Sequence, residues 1–441
     1  MTTWLQITFE RLRGSLWFLP ALMALGAGLL APLCARLDAA LQSGVDTWWV
    51  DLLYRGEVDS ARTLLSTVAG SMITVAGVSF SATMVALSLA SSQLGPRLLV
   101  SFMRDRGNQV VLGGFIATFL FCLLSLGETR AVDGPVVSSA VTVALGLAIG
   151  SLLLLIYFIH HIASSMQADK VIATVAEDVR RCLCRIFPES WSGDGSGAGE
   201  SEFARPQNSA ADAMVEAPAT GYLQGIDEDG LLKLAGEEDV CLHVLRRPGH
   251  FVATSDPLVG ASCGSLQPDV ARRIQRAFLI GGRRTAEQDP EYGINQLVEI
   301  ALRALSPGIN DPFTAITCVD QLAGALAEIA TRPERPPVRS DREGRVRLTL
   351  HPIDFAGVVD AAFSQIRQSA AAVPAVSIRL LEALSAVARH TEDPDRHRAL
   401  AAHAELIYES QVDQLRGLDR DALEQRYRAL RDLLAMTGST A

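Results

Sequence analysis

Four long apolar runs that contain no charged side chain constrain the fold of this chain more than any other feature. They cover residues 17–35, 64–89, 110–126 and 136–159. A helix needs roughly 20 residues to cross a hydrocarbon layer of about 30 Å. The third run is shorter, so we expect it either to lie nearly normal to the bilayer or to extend back toward Arg106. The runs predict four transmembrane helices within residues 1–166, and we divide the chain near Gln167.

The overall composition agrees with a chain that lies partly in lipid. It is 49% hydrophobic and 20% charged, which is more apolar than a soluble domain of this size needs. The formal net charge of -10 argues against a nucleic-acid partner. Seven scattered cysteines, of which Cys182 and Cys184 are the closest pair, lack the spacing of a zinc site. We therefore expect no metal and no cofactor.

The distribution of basic residues predicts the orientation of the four helices. Lys and Arg near the membrane ends of short loops mark the cytoplasmic side. Here they are Arg11, Arg13, Arg97, Arg104, Arg106, Lys170, Arg180 and Arg181. The connection between the first two runs is acidic instead, so we expect both termini in the cytoplasm. A cleaved signal peptide is the alternative for the first run, but Leu33 before Cys34 matches neither a small-residue cleavage site nor a lipoprotein acceptor.

The remainder of the chain predicts a cytoplasmic region of mixed α and β structure. Residues 167–214 should form a juxtamembrane helix and then a flexible linker rich in Gly, Ser and acidic residues. Residues 215–265 show short β-like runs between turn signals, which predict a small β-barrel or sandwich. Residues 266–441 should form a helical domain. The predicted fold class is thus a mainly α membrane protein with a cytoplasmic α+β region.

Four apolar stripes with helical spacing support the helical domain. Their members are Val270, Ile274, Phe278 and Leu279; Ile294, Leu297, Ile300 and Leu305; Phe355, Val359, Phe363 and Ile366; and Leu423, Tyr427, Leu430 and Leu434. Such stripes need helical partners, in the same chain or in a neighbouring one.

The second apolar run carries a stripe of small and hydroxylated residues at steps of three, four or seven. We call it the small-residue stripe, and it contains Ser66, Gly70, Thr74, Gly77, Ser81, Ser88 and Ser92. One interpretation is close packing between helices. The other is that copies of this helix line a pore in an oligomer. Arg97, Arg104 and Arg106 would then surround the cytoplasmic mouth, although the positive-inside rule accounts for the same arginines.

Two loops in the helical region could hold a ligand. In "GGRRTAEQDPEYG", Arg284 and Asp289 could form an ion pair, or Arg283, Arg284 and Thr285 could hold an anion. In "ALSPGINDPFTA", Gly308 should relieve backbone strain, Asp311 should cap a helix and Pro312 should begin it. Capping leaves Ser306 and Asn310 unexplained, which leaves room for a small ligand at this helix start.

The chain lacks a phosphate loop, a nucleophile elbow and a zinc-protease helix, so we expect no enzyme. The stretches "TVAGSMITVAGVSFSATMVALSLASSQLGPRLL", "GYLQGID" and "RTAEQDPEYGINQLVEIALRALSPGINDPFTA" resemble a bacterial family filed as domain of unknown function 2254. The resemblance implies a multi-pass membrane protein, and we expect this chain in the inner (plasma) membrane. It implies no substrate and no residue role.

Two functions remain open on these residues. The first is a homo-oligomeric ion channel, or a channel-like protein, in which the second transmembrane helix lines the axis and the cytoplasmic region assembles or gates it. The alternative is a membrane-anchored ligand sensor or scaffold whose site includes Arg283, Arg284, Asp289, Ser306, Asn310 and Asp311. The expected partners are the lipid bilayer, further copies of the chain, and a small ion or an anionic metabolite.

Overall fold

The computed structural model describes residues 17–41, 53–95, 105–128, 136–165, 167–190, 213–371 and 373–437. The chain separates into two compact units, Met1–Lys170 and Val171–Ala441. This boundary lies close to the expected division at Gln167. Most of the predicted linker lies outside the described residues, and so do Arg97 and Arg104.

The first unit contains the four apolar helices that the sequence predicts. They are α1 (Phe18–Leu41), α2 (Val58–Leu94), α3 (Arg106–Glu128) and α4 (Ser139–Ser165). All four are long and apolar enough to cross a membrane. The third does extend back to Arg106, which gives it the length that its apolar run alone lacks. Two short strands, β1 (Tyr54–Gly56) and β2 (Val136–Ser138), pair antiparallel beside these helices.

Helix α3 lies at the centre of this unit. Half of its span is buried, against 17% for each of the other three spans. Gly113 and Gly114 allow the close packing, because a Cβ at Gly113 would stand 2.6 Å from Met23 Sδ and one at Gly114 would stand 2.6 Å from Leu154 Cδ1. A hydrogen bond of 3.0 Å between the Thr118 and Ser151 hydroxyls also joins α3 to α4.

The second unit contains the remaining elements. In chain order they are α5 (Ala168–Ile186), β3 (Ala213–Glu216), β4 (Gly221–Ile226), α6 (Glu228–Glu237), β5 (Leu242–Val244), β6 (Phe251–Val252), β7 (Pro257–Ala261), α7 (Pro268–Arg276), β8 (Phe278–Gly281), α8 (Pro290–Ala304), α9 (Pro312–Ile329), β9 (Val338–Ser340), β10 (Val346–Thr349), α10 (Phe355–Ser369), α11 (Pro374–Ala388), α12 (Pro394–Gln411) and α13 (Leu418–Thr437). The first of them, α5, is the predicted juxtamembrane helix, and its first three residues precede the boundary.

Two sheets take strands from a longer stretch of sequence than the predicted β region. A five-stranded sheet has the order β3-β7-β5-β10-β9, and a three-stranded sheet has the order β6-β4-β8. The strands β8, β9 and β10 all follow residue 265, where we expected the β region to end. Within the described residues the strands form no closed barrel, so the barrel alternative is wrong. Only the β5–β10 pair is parallel.

One predicted apolar stripe does not belong to a single helix. Helix α7 ends at Arg276, and Phe278 and Leu279 lie on β8, where Phe278 faces Ile226 of β4 across the pair. The helical spacing is misleading because Val270, Ile274 and Phe278 all enter one hydrophobic core. The other stripes are largely buried as predicted, including Ile294, Phe363 and Leu430. Leu305 is an exception, since it follows the last residue of α8.

Helix α5 is an integral part of the second unit. Its apolar face is buried and consists of Ile172, Val175, Ala176, Val179, Cys182 and Leu183. Arg180 forms ion pairs with Glu177 in its own helix and with Glu328 in α9. Arg332, three residues after the end of α9, donates a hydrogen bond to the carbonyl of Phe187 just after α5. The helix therefore packs as a member of the helical layer rather than only as an extension of the fourth span.

Candidate ligand-binding cleft

A cleft of about 780 Å³ opens on the second unit. We call it the arginine cleft. The ends of α5, β4 and α7, the starts of α6, β8 and α8, and the segments that follow β5, α9 and β10 form its walls. Small-molecule sites in proteins typically occupy roughly 300–1,000 Å³. The cleft therefore has the size of a metabolite site.

The walls of the arginine cleft carry equal numbers of basic and acidic side chains. The arginines are Arg185, Arg246, Arg247, Arg276, Arg335 and Arg339, and the carboxylates are Asp227, Glu228, Asp229, Glu287, Asp289 and Glu291. Because the formal charges cancel, which groups are paired decides what the cleft can bind.

Half of the arginines in the walls are paired with carboxylates. Arg247 pairs with Glu291. Arg335 holds Glu228 with both of its terminal nitrogens, one of them at 2.9 Å. Burial raises the pKa of the Glu228 carboxyl, while the guanidinium of Arg335 opposes that rise. Arg339 reaches Asp229 at 2.8 Å.

The carboxylate of Asp289, at the start of α8, lies against the loop between β5 and β6. It is only 2% exposed, and it caps α8 by accepting a hydrogen bond from the backbone N–H of Tyr292. Arg284, beside the cleft, donates two hydrogen bonds to the same carboxylate. Gly249 passes close above it with φ of +95°, and a Cβ there would stand 2.6 Å from Asp289 Oδ2. Only glycine satisfies both conditions, so Gly249 allows the loop that carries Arg246 and Arg247 to pack closely on Asp289.

Three arginines of the cleft have no carboxylate partner among the described residues. They are Arg185 at the end of α5, Arg246 after β5 and Arg276 at the end of α7. The Nε atom of Arg246 is buried and has no hydrogen-bond partner. Apolar side chains line the same space, namely Ile186, Val244, Phe278, Leu279, Leu350 and Ile353. Unpaired guanidinium groups beside an apolar wall can bind an anion that carries an apolar part.

The first candidate loop of the sequence lies beside this cleft. The predicted ion pair of Arg284 and Asp289 is present. Arg283 is exposed, and its carbonyl accepts a hydrogen bond of 2.7 Å from Gln224 Nε2. The Thr285 hydroxyl makes a long contact of 3.5 Å to the Gln224 carbonyl. Both residues thus hold the edge of β4, and neither lines the cleft.

The second candidate loop is separate from the first. Helix α8 lies between them, and its 15 residues extend about 22 Å. Asp311 caps α9 and Pro312 begins it, as predicted. The Ser306 hydroxyl donates to the Arg303 carbonyl at 2.6 Å. The left-handed backbone lies at Asn310, with φ of 51°, rather than at Gly308. A tight turn between two helices therefore accounts for the residues that capping left unexplained.

The small-residue stripe lies on the outside of the first unit. All seven members are exposed, whereas Ala69, Ala76 and Ser79 on the other side of α2 are buried. The hydroxyls of Ser66 and Thr74 donate to carbonyls one turn earlier in the same helix. Arg106 is exposed at the start of α3. This exposure within one chain leaves the stripe available to a second molecule.

The comparisons with known proteins identify the family. Its profile, described as "Predicted membrane protein (DUF2254)", matches residues 13–386. The chain belongs to this family of predicted membrane proteins. It is 34% identical over 431 residues to the uncharacterized protein Rv1290c of Mycobacterium tuberculosis and to the uncharacterized protein Mb1321c of Mycobacterium bovis. Each match covers 96% of this chain and 79% of the relative. No solved structure matches the chain significantly.

Sequence analysis missed the arginines that give the cleft its chemistry. Arg185, Arg246 and Arg276 belong to three segments that no local motif connects. The pair Arg246-Arg247 before Pro248-Gly249 is the one signal that could have indicated a charged turn.

Proposed function

We propose that this membrane protein is a sensor that binds a small ligand in the arginine cleft. The observation that carries the proposal is a cleft of about 780 Å³ whose walls include three arginines without a carboxylate partner. The proposal assigns binding and no catalysis. The positive-inside pattern further supports an inner-membrane location with both termini in the cytoplasm. In that orientation the cleft would face cytoplasmic metabolites.

Helix α5 provides a route by which binding could affect the membrane domain. Its last turn contributes Arg185 and Ile186 to the cleft. Its first residue, Ala168, follows the end of the fourth apolar helix by only two intervening residues. A ligand that contacts Arg185 therefore acts on a helix that is joined directly to the membrane domain.

A ligand screen on the full-length protein in detergent tests the proposal. A compound that binds the folded protein raises its melting temperature by mass action. We expect at least one compound in a broad panel of metabolites to do so. Leu279→Trp, which fills space at a position that is 51% exposed in the cleft, should abolish the shift. The matched control is Leu406→Trp, which is 43% exposed and lies outside the cleft. Equal shifts in both variants, or no shift with any compound, would refute the sensor.

The second candidate function is a homo-oligomeric ion channel in which α2 lines the axis. The outward position of the small-residue stripe favours it, since a stripe buried within one chain could not line a shared pore. The second unit would then assemble or gate the oligomer. The arginine cleft could serve the same protein, because a gating domain needs a site for its stimulus.

Mass measurement of the solubilised complex and ion flux from liposomes test the channel. We expect a discrete oligomer whose flux changes in Gly77→Trp and in Ser81→Trp. The control is Val78→Trp, at an adjacent position that is 66% exposed and lies off the stripe. A monomer without flux, or flux that all three variants leave unchanged, would exclude this role for α2.

A further inference from the structure

The unpaired arginines of the cleft define the chemistry of its ligand. Arg185, Arg246 and Arg276 come from three different elements and line one space. In the same walls Arg247, Arg335 and Arg339 each pair with a carboxylate. A guanidinium remains charged at any physiological pH, and its buried N–H groups need acceptors. The unbonded, buried Nε of Arg246 is such a group.

The helix starts at the cleft are not available to an anion. Asp227 accepts a hydrogen bond from the Gly230 amide at the start of α6, and the next two residues, Glu228 and Asp229, are also acidic. Asp289 occupies the start of α8 in the same way. These carboxylates would repel a second negative charge, which leaves Arg185, Arg246 and Arg276 as the groups of the cleft that can hold an anion.

We infer that the ligand of the arginine cleft is an organic phosphate of nucleotide size, bound through its phosphate by Arg185, Arg246 and Arg276. This inference rests on the proposed binding function. Three guanidinium groups offer about fifteen N–H donors, which is more than one carboxylate with about four acceptor sites can use. A dianionic phosphate has three terminal oxygens and fits the planar fork of arginine.

The rest of the cleft suits the organic part of such a ligand. Leu279, which is 51% exposed, and the half-buried Ile186 offer apolar surface in the same cleft. The volume of about 780 Å³ exceeds what an inorganic phosphate would fill. Because the formal charges of the walls cancel, direct guanidinium contacts must provide the selectivity rather than long-range attraction.

Thermal unfolding of the full-length protein in detergent with four probes tests the inference. The probes are AMP, inorganic pyrophosphate, adenosine and citrate. We expect AMP to raise the melting temperature by about 5–8 °C at a concentration 100-fold above its Kd. Pyrophosphate should give a smaller rise, and adenosine and citrate should give none. Arg246→Gln should weaken AMP binding about tenfold or more. Arg389→Gln, at an exposed arginine outside the cleft, is the matched control and should bind AMP normally.

The possible outcomes separate this inference from the proposed function. If citrate stabilises the protein as well as AMP does, and Arg246→Gln abolishes both effects, the phosphate assignment is wrong while binding in the cleft stands. If none of the four probes shifts the melting temperature but a metabolite without a phosphate group does, the same conclusion holds. If no compound binds at all, both fail. Should Arg246→Gln not fold, Arg276→Gln, at an exposed position, replaces it; unchanged AMP binding in that variant would overturn the site.

Discussion

Arg284 donates two hydrogen bonds to the carboxylate of Asp289, from Nε at 2.6 Å and from a terminal nitrogen at 2.8 Å. The two residues are only five positions apart, yet the pair joins the turn after β8 to the start of α8. Asp289 also lies directly below Gly249, in the loop that carries Arg246. One ion pair with a buried carboxylate thus packs against the loop on which ligand binding is proposed to depend.

Removal of Arg284 should destabilise the second unit strongly. Arg284→Ala leaves the Asp289 carboxylate buried without its cation, which typically costs about 3–5 kcal/mol. Arg284→Lys keeps the charge but loses the paired hydrogen bonds, so its stability should lie between those of the wild type and Arg284→Ala. Thermal unfolding of the full-length protein measures the effect. Arg389→Ala should change stability by less than about 0.5 kcal/mol, and an equally small effect of Arg284→Ala would contradict the prediction.

One added methyl group at the contact between α5 and α8 should lower the stability of the protein. A Cβ at Gly293 would stand 2.8 Å from Val179 Cγ2. We expect Gly293→Ala to cost about 1–3 kcal/mol through overpacking, and Val179→Ala to restore part of that loss when the two are combined. Gly324→Ala in α9 is the matched control, since nothing lies within 4 Å of its Cβ position. It should stabilise the protein by about 0.5–1 kcal/mol. If the stability changes of Gly293→Ala and Val179→Ala simply add in the double variant, the contact is looser than described.

A second glycine pair tests the packing of the membrane domain. Gly113→Leu would place a large side chain where Met23 already lies, and should cost about 1–3 kcal/mol or more. Gly127→Leu lies in the same helix, where nothing stands within 4 Å of the Cβ position. The melting temperature in detergent should fall for the first variant and stay nearly constant for the second. Similar behaviour of both would indicate that α1 does not pack closely on α3.

His250 should make the protein less stable in mild acid. Burial, followed by the charge of Arg247, lowers the pKa of this imidazole below its usual value. As the pH falls below about 6.5, the unfolded chain therefore binds a proton that the folded chain does not. The contribution of His250 is fully present above that pH and is lost as the pH falls toward the folded pKa. Melting temperatures of wild type and His250→Gln between about pH 7.5 and 5 should converge or cross if His250 is responsible, and run parallel if it is not.

The apolar helices could be predicted because their signal is local. Twenty consecutive uncharged residues require a membrane or a large core, whatever the remaining chain does. Caps such as Asp311-Pro312 are equally local, since the side chain bonds to backbone within the same turn. The ion pair of Arg284 and Asp289 could also be predicted, because the two residues are only five positions apart and a turn brings them together.

The sheets and the cleft depend on contacts that no local pattern encodes. Phe278 keeps the helical spacing of α7 although it lies on a strand, because burial in one core is compatible with either conformation. The strand β9 lies in a connector rich in Pro and Arg, where pairing with β10 rather than propensity decides its structure. Arg185 and Arg276 are 91 positions apart in the sequence and line one cleft only because of the fold.

The position of α5 has a consequence for synthesis on the ribosome. Its partners Gly293 and Glu328 follow it by more than 100 residues. The apolar helices can therefore enter the membrane while α5 still exposes an apolar face that nothing yet covers. The same applies to β5, whose parallel neighbour β10 emerges much later. Long-range pairings of this kind form late. A chain that stalls before α9 would carry an unfinished domain held at the membrane surface, where a chaperone or a protease would meet it first.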